Sequence, residues 1–154
     1  MLKQARAIVI FALIAVMALP LIGCGGGKSV EDINTQLGIK LAVPEGATAG
    51  RSSVVDGTIG ELVYTLDGIE YTLRGQVGKV EEGTNLANMS GNFTTTADGG
   101  AGGHAFTAAF RQGEAGYAQW FDSDSGVTYF ISVQKGASST LFMEAITAVV
   151  KAQR

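Results

Sequence analysis

The run ELVYTLDGIEYTLR, residues 61–74, constrains this chain more than any other. Apolar and polar residues alternate on both sides of Asp67-Gly68, the period of a half-buried strand. An Asp-Gly pair favours a type I′ turn, in which both central residues take positive φ. That turn sets the register: Leu66 faces Ile69, Tyr64 faces Tyr71, and Leu62 faces Leu73. All six fall on one face, and a slip of one residue would turn the whole set outward. On the other face Val63 meets Thr72, Thr65 meets Glu70, and Glu61 meets Arg74, which reads as a solvent side. A lone hairpin is marginal in water. The chain must therefore build a larger antiparallel sheet and cover one face of it.

The flanking sequence supplies candidates for both. Ser29-Val30-Glu31-Asp32 can cap a short helix over residues 30–37, with Gly38 as its stop. Residues 39–43, IKLAV, alternate as a strand before Pro44, and Glu45-Gly46-Ala47 reads as a turn. Gln76 to Val80 extends or follows the hairpin. Residues 81–88 read as a loop or a single helical turn, and 89–96, MSGNFTTT, as a strand. ADGGAGG, 97–103, is expected to be a mobile loop. HAFTAAFR, 104–111, reads as a strand with Phe106 and Phe110 on one parity. A second hairpin spans 117–133. Val127, Tyr129, Ile131 and Val133 share one of its faces and Phe130 the other, so it is expected to lie at the centre of the sheet. Phe142, Ala145, Ile146, Val149 and Val150 form an apolar stripe at helical spacing, placing a helix over about 139–152 capped by Ser138 or Ser139. Strands in sequence followed by a helix give an α+β fold: an antiparallel sheet of hairpins with the C-terminal helix across one face.

The first residues pose a different question. LIGCGGGKS, Leu21 to Ser29, contains the last residues of a phosphate-binding loop. That motif needs a glycine at the position Ile22 occupies, and a strand–helix context that is missing here. A second pattern fits throughout. Lys3 and Arg6 form a basic start, and no acid precedes Glu31. Residues 7–23 are apolar without a break, and Leu21-Ile22-Gly23-Cys24 follows Pro20. The segment resembles the export signal and lipobox of bacterial lipoproteins. The resemblance implies cleavage before Cys24 and diacylglycerol on its thiol. GGGKS is then a flexible tether. An uncleaved single-span anchor is the competing reading, since 17 apolar residues approach the length of a bilayer span. The expected organisation is a signal peptide over 1–23, a lipidated cysteine with tether and short helix over 24–38, and one α+β domain over 39–154. Gly25 follows Cys24 where a retaining aspartate would stand, so a cell with two membranes would carry the protein on the outer one.

Cys24 is the only cysteine, which excludes an internal disulfide and, once lipidated, a cysteine nucleophile. Loss of residues 1–23 removes two basic side chains and no acid from the 11 basic and 14 acidic ones of the whole chain, so the mature domain is mildly acidic. Nucleic acid and anionic head groups both want basic patches, and neither is an expected partner.

From LAVPEGA through the late W-x-D-x₃-G-x-x-Y-x-I-S strand pair to the final helix, the chain is also similar to small extracytoplasmic domains of unknown function found in Gram-positive lipoproteins and anti-sigma-like membrane proteins. Pro44, Glu45, Gly46, Trp120, Asp122, Gly126, Tyr129, Ile131 and Ser132 carry that likeness. It implies a fold and an envelope location, and no catalytic residue. The glycine-rich stretch 97–103 departs from the pattern.

Chemistry is sparsely signalled, and no cofactor motif is present. Asp122-Ser-Asp124-Ser-Gly126 partly matches a calcium loop, but Gly126 and Val133 occupy positions that need oxygen ligands. His104 is the only histidine and has no activated serine motif to serve. Glu81-Glu82 reads as a solvated pair rather than an acid–base device. The expectation is a non-catalytic envelope module, anchored to the membrane through Cys24, that binds an envelope protein or an apolar small ligand. Tyr64, Tyr71, Trp120, Tyr129 and Phe130 are candidates to line its groove, or else simply fill the core. The alternatives are an envelope enzyme with a carboxylate-based site, or a single-span membrane-anchored regulatory domain.

Overall fold

The computed structural model describes residues 27–81, 84, 89, 93, 95–111 and 114–154. The export segment and Cys24 lie outside them, as does most of 82–94, including four residues of the expected strand 89–96. Among the described residues two helices, α1 (Val30–Leu37) and α2 (Ser139–Ala152), accompany seven strands: β1 (Thr48–Val55), β2 (Ile59–Leu66), β3 (Ile69–Val77), β4 (Thr95–Ala101), β5 (His104–Arg111), β6 (Ala115–Asp122) and β7 (Val127–Val133). The strands form one antiparallel sheet in the order β1-β2-β3-β7-β6-β5-β4, an α+β architecture. Two meanders meet at β3 and β7. After β3 the chain crosses to the far edge, then works back inward through β4, β5 and β6. β7 is thus the fourth of seven strands, and all its residues are buried. That explains a strand with apolar side chains on both parities.

β2 and β3 pair with Tyr64 opposite Tyr71 and Leu62 opposite Leu73, around Asp67 and Gly68 at φ 52° and 77°. These four side chains are buried together with Trp120, Tyr129, Ile131 and Val133 on an inner face. From above, α1 adds Ile33, and α2 adds Phe142, Ala145, Ile146, Val149 and Val150 to the same core. Ser29 and Ser138 cap the two helices, each accepting a bond from a backbone N–H of the first turn. The opposite face is not the solvent side the alternation suggests. Val63, Thr128, Phe130 and Ser132 are buried there, and Met89 and Phe93 pack with Ala115 and Tyr117 in a second small cluster. In the connection from β3 to β4, the described Met89 and Phe93 lie on this face. The start of that connection is pinned to β7: Gly78 N donates to Gly126 O at 2.7 Å, and Thr128 Oγ1 donates to Gly78 O at 2.6 Å.

Residues 39–43 are not a strand. Their side chains alternate as expected, with Ile39 and Leu41 buried over the sheet, but their backbone joins no ladder. Side chains supply the partners instead. Asn34 brackets Leu41, its amide donating to the carbonyl at 2.9 Å and its oxygen accepting from the N–H at 2.7 Å. Tyr129 Oη donates to Lys40 O at 3.2 Å, and Gln153 Nε2 to Ala42 O at 3.2 Å. The segment lies low because Gly60 and Gly75, directly opposite each other, leave a hollow under it. A Cβ on Gly60 would stand 2.4 Å from Ile39 Cδ1, and one on Gly75 3.1 Å from Leu41 Cδ2. Asn34→Leu keeps the helix but strands two backbone groups of Leu41. Each buried orphan costs about 1–3 kcal/mol, so the variant is expected to lose about 2 kcal/mol or more in urea denaturation.

Two further departures concern the sheet edges. ADGGAGG is not a loop: residues 97–101 complete β4, and only Gly102 and Gly103 turn, at φ 57° and 85°. Glycine weakens a strand because it brings no side chain to pack. Here the opposite strand supplies the cover. Gly99 pairs with Phe106, and a Cβ on Gly99 would lie 2.6 Å from that ring and 2.8 Å from Met143 Cε. At the other edge β1 carries almost no apolar signal, and its first four residues are exposed. It is held by the β2 ladder, with an irregularity between Ala49 and Ser52 of the kind that blunts an edge.

Candidate functional site

Of the five aromatic residues expected to line a groove, Trp120 alone borders one of the two grooves found among the described residues. Tyr64, Tyr71, Trp120, Tyr129 and Phe130 are all at most 4% exposed. The first four fill the inner core as two stacked pairs: Tyr64 with Tyr71 at 5.6 Å between ring centres, and Trp120 with Tyr129 at 5.7 Å. Phe130, of opposite parity in β7, lies on the outer face.

Burial sets the chemistry of these phenols. It pushes Tyr64 far above the usual phenol range, aided by neighbouring Tyr71. Tyr71 is raised by burial first and then by Asp67 and Glu144. Tyr129 is raised by burial, against a hydrogen bond to Ser125 and one to Lys40. An unfolded phenol ionises near 10, whereas the folded ones keep their protons to higher pH. The stabilisation is therefore complete below pH 10 and is lost as pH rises beyond it. Each such tyrosine contributes a slope of up to about 1.4 kcal/mol per pH unit. Denaturation midpoints should fall between about pH 9 and about pH 11, and Tyr64→Phe should flatten the fall. The Tyr64 hydroxyl has no hydrogen-bond partner among the described residues, so the same variant is expected to match or exceed the parent's stability at neutral pH.

The polar residues at the β6–β7 turn hold one another. Asp122 accepts from Asp124 N at 2.9 Å and from Ser125 Oγ at 2.8 Å, and its Oδ1 lies 3.9 Å from His104 Nε2. Burial acts to raise its carboxyl, but the bonds from Ser125 and Asp124 and the nearby His104 outweigh it and leave the group below its usual value. The cluster is a hairpin turn organised by an aspartate that caps its own backbone. Among the described residues no three His, Cys, Asp or Glu side chains gather as a metal site. Glu81 lies at the rim of a groove on the outer face, and its neighbour Glu82 falls outside the described residues.

That groove is the most distinctive open surface. It has a volume of about 960 Å³ and lies between Lys79, Val80, Glu81 and Thr84 and the outer face of β4, β5, β6 and β7. Alternation places Tyr117, Gln119 and Phe121 of β6 along it. Gln119 stands opposite Thr107, which stands opposite Asp98. Thr107 Oγ1 donates to Asp98 Oδ1 at 2.8 Å. Phe93 meets the Tyr117 ring edge-on at 4.9 Å. Thr96, Asp98, Ala105, Thr107 and Phe121 are exposed. The alternation of YAQWFD held the signal for this surface: its odd positions join two rings and an amide on one face, while Trp120 goes to the core. A second groove, of about 920 Å³, runs beside α2 past Met143 and Thr147 and contains none of the five core aromatics. No family model, curated protein or solved structure matches this chain.

Proposed function

We propose that this chain is a lipid-anchored cell-envelope protein, held on the extracytoplasmic side of a membrane through Cys24, and that its domain is a non-catalytic binding or accessory module. The observation that carries the reading is Leu21-Ile22-Gly23-Cys24 closing an apolar run with a basic start. Only five residues separate Cys24 from Val30, where α1 begins, so the tether holds the domain close to the lipid surface. No helix among the described residues is long and apolar enough to cross a membrane. The α+β architecture is the one expected of a small extracytoplasmic domain and supports the reading.

The binding role is favoured over a carboxylate enzyme because Glu61 and Asp122 serve the structure, and Asp98, which lines the outer groove with Glu81, accepts from Thr107. Glu61 accepts from Arg74 Nε at 2.9 Å and Nη2 at 2.7 Å, and Asp122 is engaged by its own turn. Neither faces a groove as a poised acid–base group. The intact mass of the full-length protein, extracted gently from membranes, tests the anchor. Loss of residues 1–23 with a diacylglyceryl adduct, both abolished by Cys24→Ala, is the expected result. An unprocessed chain of unmodified mass would replace the lipid anchor with a single membrane span.

A further inference from the structure

The groove on the outer face combines three features that together select a ligand class. The first is two aromatic rings in line, Phe121 exposed and Tyr117 half-buried with Phe93 against it. Tyr117 and Phe121 are four residues apart on one strand face, which sets them roughly 13 Å apart at the rise of a β-strand. The second is a polar row between and beside them, from Gln119 through Thr107 to Asp98. The Thr107–Asp98 bond fixes two members of the row and occupies only part of the carboxylate's accepting capacity. The third is a floor of small side chains, Ala105 and Ala109, which leaves room above the sheet.

Charge and polarity narrow the occupant. Lys79 is the one cation that lines the groove among the described residues, and Glu81 and Asp98 line it too. The surface therefore has no excess positive charge to draw in a phosphate or a polyanion. A fatty chain would desolvate the central amide, hydroxyl and carboxylate without replacing their hydrogen bonds. A neutral oligosaccharide satisfies both parts of the wall. Its hydroxyls can pair with Asp98, Thr107 and Gln119, while its C–H faces pack on the rings of Tyr117 and Phe121.

We propose that this groove binds a neutral oligosaccharide of more than one ring. The proposal rests on reading the domain as an envelope binding module and specifies what that module takes. The spacing of the two platforms asks for an extended ligand, with Gln119 between the rings reading the hydroxyls that separate them. Uncharged recognition of this kind is insensitive to salt.

The test uses the full-length protein in detergent micelles, with equilibrium dialysis against cellotetraose, N-acetylated chitotetraose and maltotetraose, and against tetragalacturonate as the anionic counterpart. Saturable binding of at least one neutral tetrasaccharide is expected. Phe121→Ala and Gln119→Ala should each weaken it at least about tenfold, a loss of about 1.4 kcal/mol. Leu141→Ala, on the exposed side of α2, should leave it unchanged. Phe121→Tyr should keep most of the affinity because it keeps the ring. Denaturation midpoints of each variant separate lost binding from lost folding. Three results would overturn the proposal: no neutral sugar bound, binding indifferent to both groove variants, or binding of tetragalacturonate alone with dependence on Lys79. The Cys24 adduct is weighed on the same sample. A normal adduct without sugar binding removes the ligand class only, and sugar binding without an adduct removes the lipid anchor only.

Discussion

Phe142→Ala is expected to lower the stability of the folded domain by about 3–5 kcal/mol, the cost of deleting a fully buried ring whose site cannot collapse. Phe142 is 1% exposed and sits in the first turns of α2. Beneath it is Gly116 of β6, where an added Cβ would come within 3.0 Å of the Phe142 ring and 3.2 Å of Ala109 O. The missing side chain at 116 is what lets the ring reach the sheet. Relaxation into the void is opposed from both sides, because Gly116 belongs to a central ladder and the helix is fastened further along by Ile146 and Val149. Urea denaturation should show the midpoint falling with little change in slope. If stability dropped by less than about 1 kcal/mol, α2 would not be part of the cooperative core. The inverse change, Gly116→Val, should destabilise as well, by overpacking rather than by a void.

The second large effect concerns the outer face. Arg74→Leu is expected to cost about 3 kcal/mol or more, because it leaves the Glu61 carboxylate in a site that water reaches poorly. The two side chains are only 17% and 11% exposed. Arg74 Nε and Nη2 both donate to the same Glu61 carboxylate oxygen, and among the described residues Ser53 Oγ donates to the other at 3.4 Å. The pair stands opposite each other on β2 and β3. Changing both residues, Glu61→Leu with Arg74→Leu, should recover most of the loss, since the desolvation penalty disappears with the charge. A double-mutant cycle from denaturation midpoints reads the coupling directly. Equal losses in the single and double variants would show that packing of the long Arg74 stem, rather than the stranded carboxylate, sets the cost.

The contrast between β2–β3 and β4 shows what kind of signal survives in a sequence. β3 buries one parity, and Asp67-Gly68 can make the hairpin turn without distant help. The stripe of α2 and the serine caps of both helices are local in the same sense. The strand in ADGGA has no such signal. It exists because β5 offers a ladder and Phe106 a ring to lie over Gly99, and both come from the partner strand. For residues 39–43 the alternation itself misleads. It reports which side chains are buried but not what bonds the backbone, and Asn34, Tyr129 and Gln153 had already taken the place of a neighbouring strand.

The candidate site divides along the same line. That Tyr117, Gln119 and Phe121 share a face follows from period two alone, as does the separation of Phe130 from Tyr129. Which face would be sealed by helices and which would hold an open groove depended on the route of the chain after β3, across the sheet to its far edge. Local alternation, turn residues and caps determined the β2–β3 and β6–β7 hairpins and both helices, because their energies act between residues close in the chain. Strand order, the edge role of β1 and β4, and the burial of Glu61 with Arg74 were decided only in the assembled sheet. The forces responsible there, ladder pairing and exclusion of water, act between residues the sequence does not place side by side.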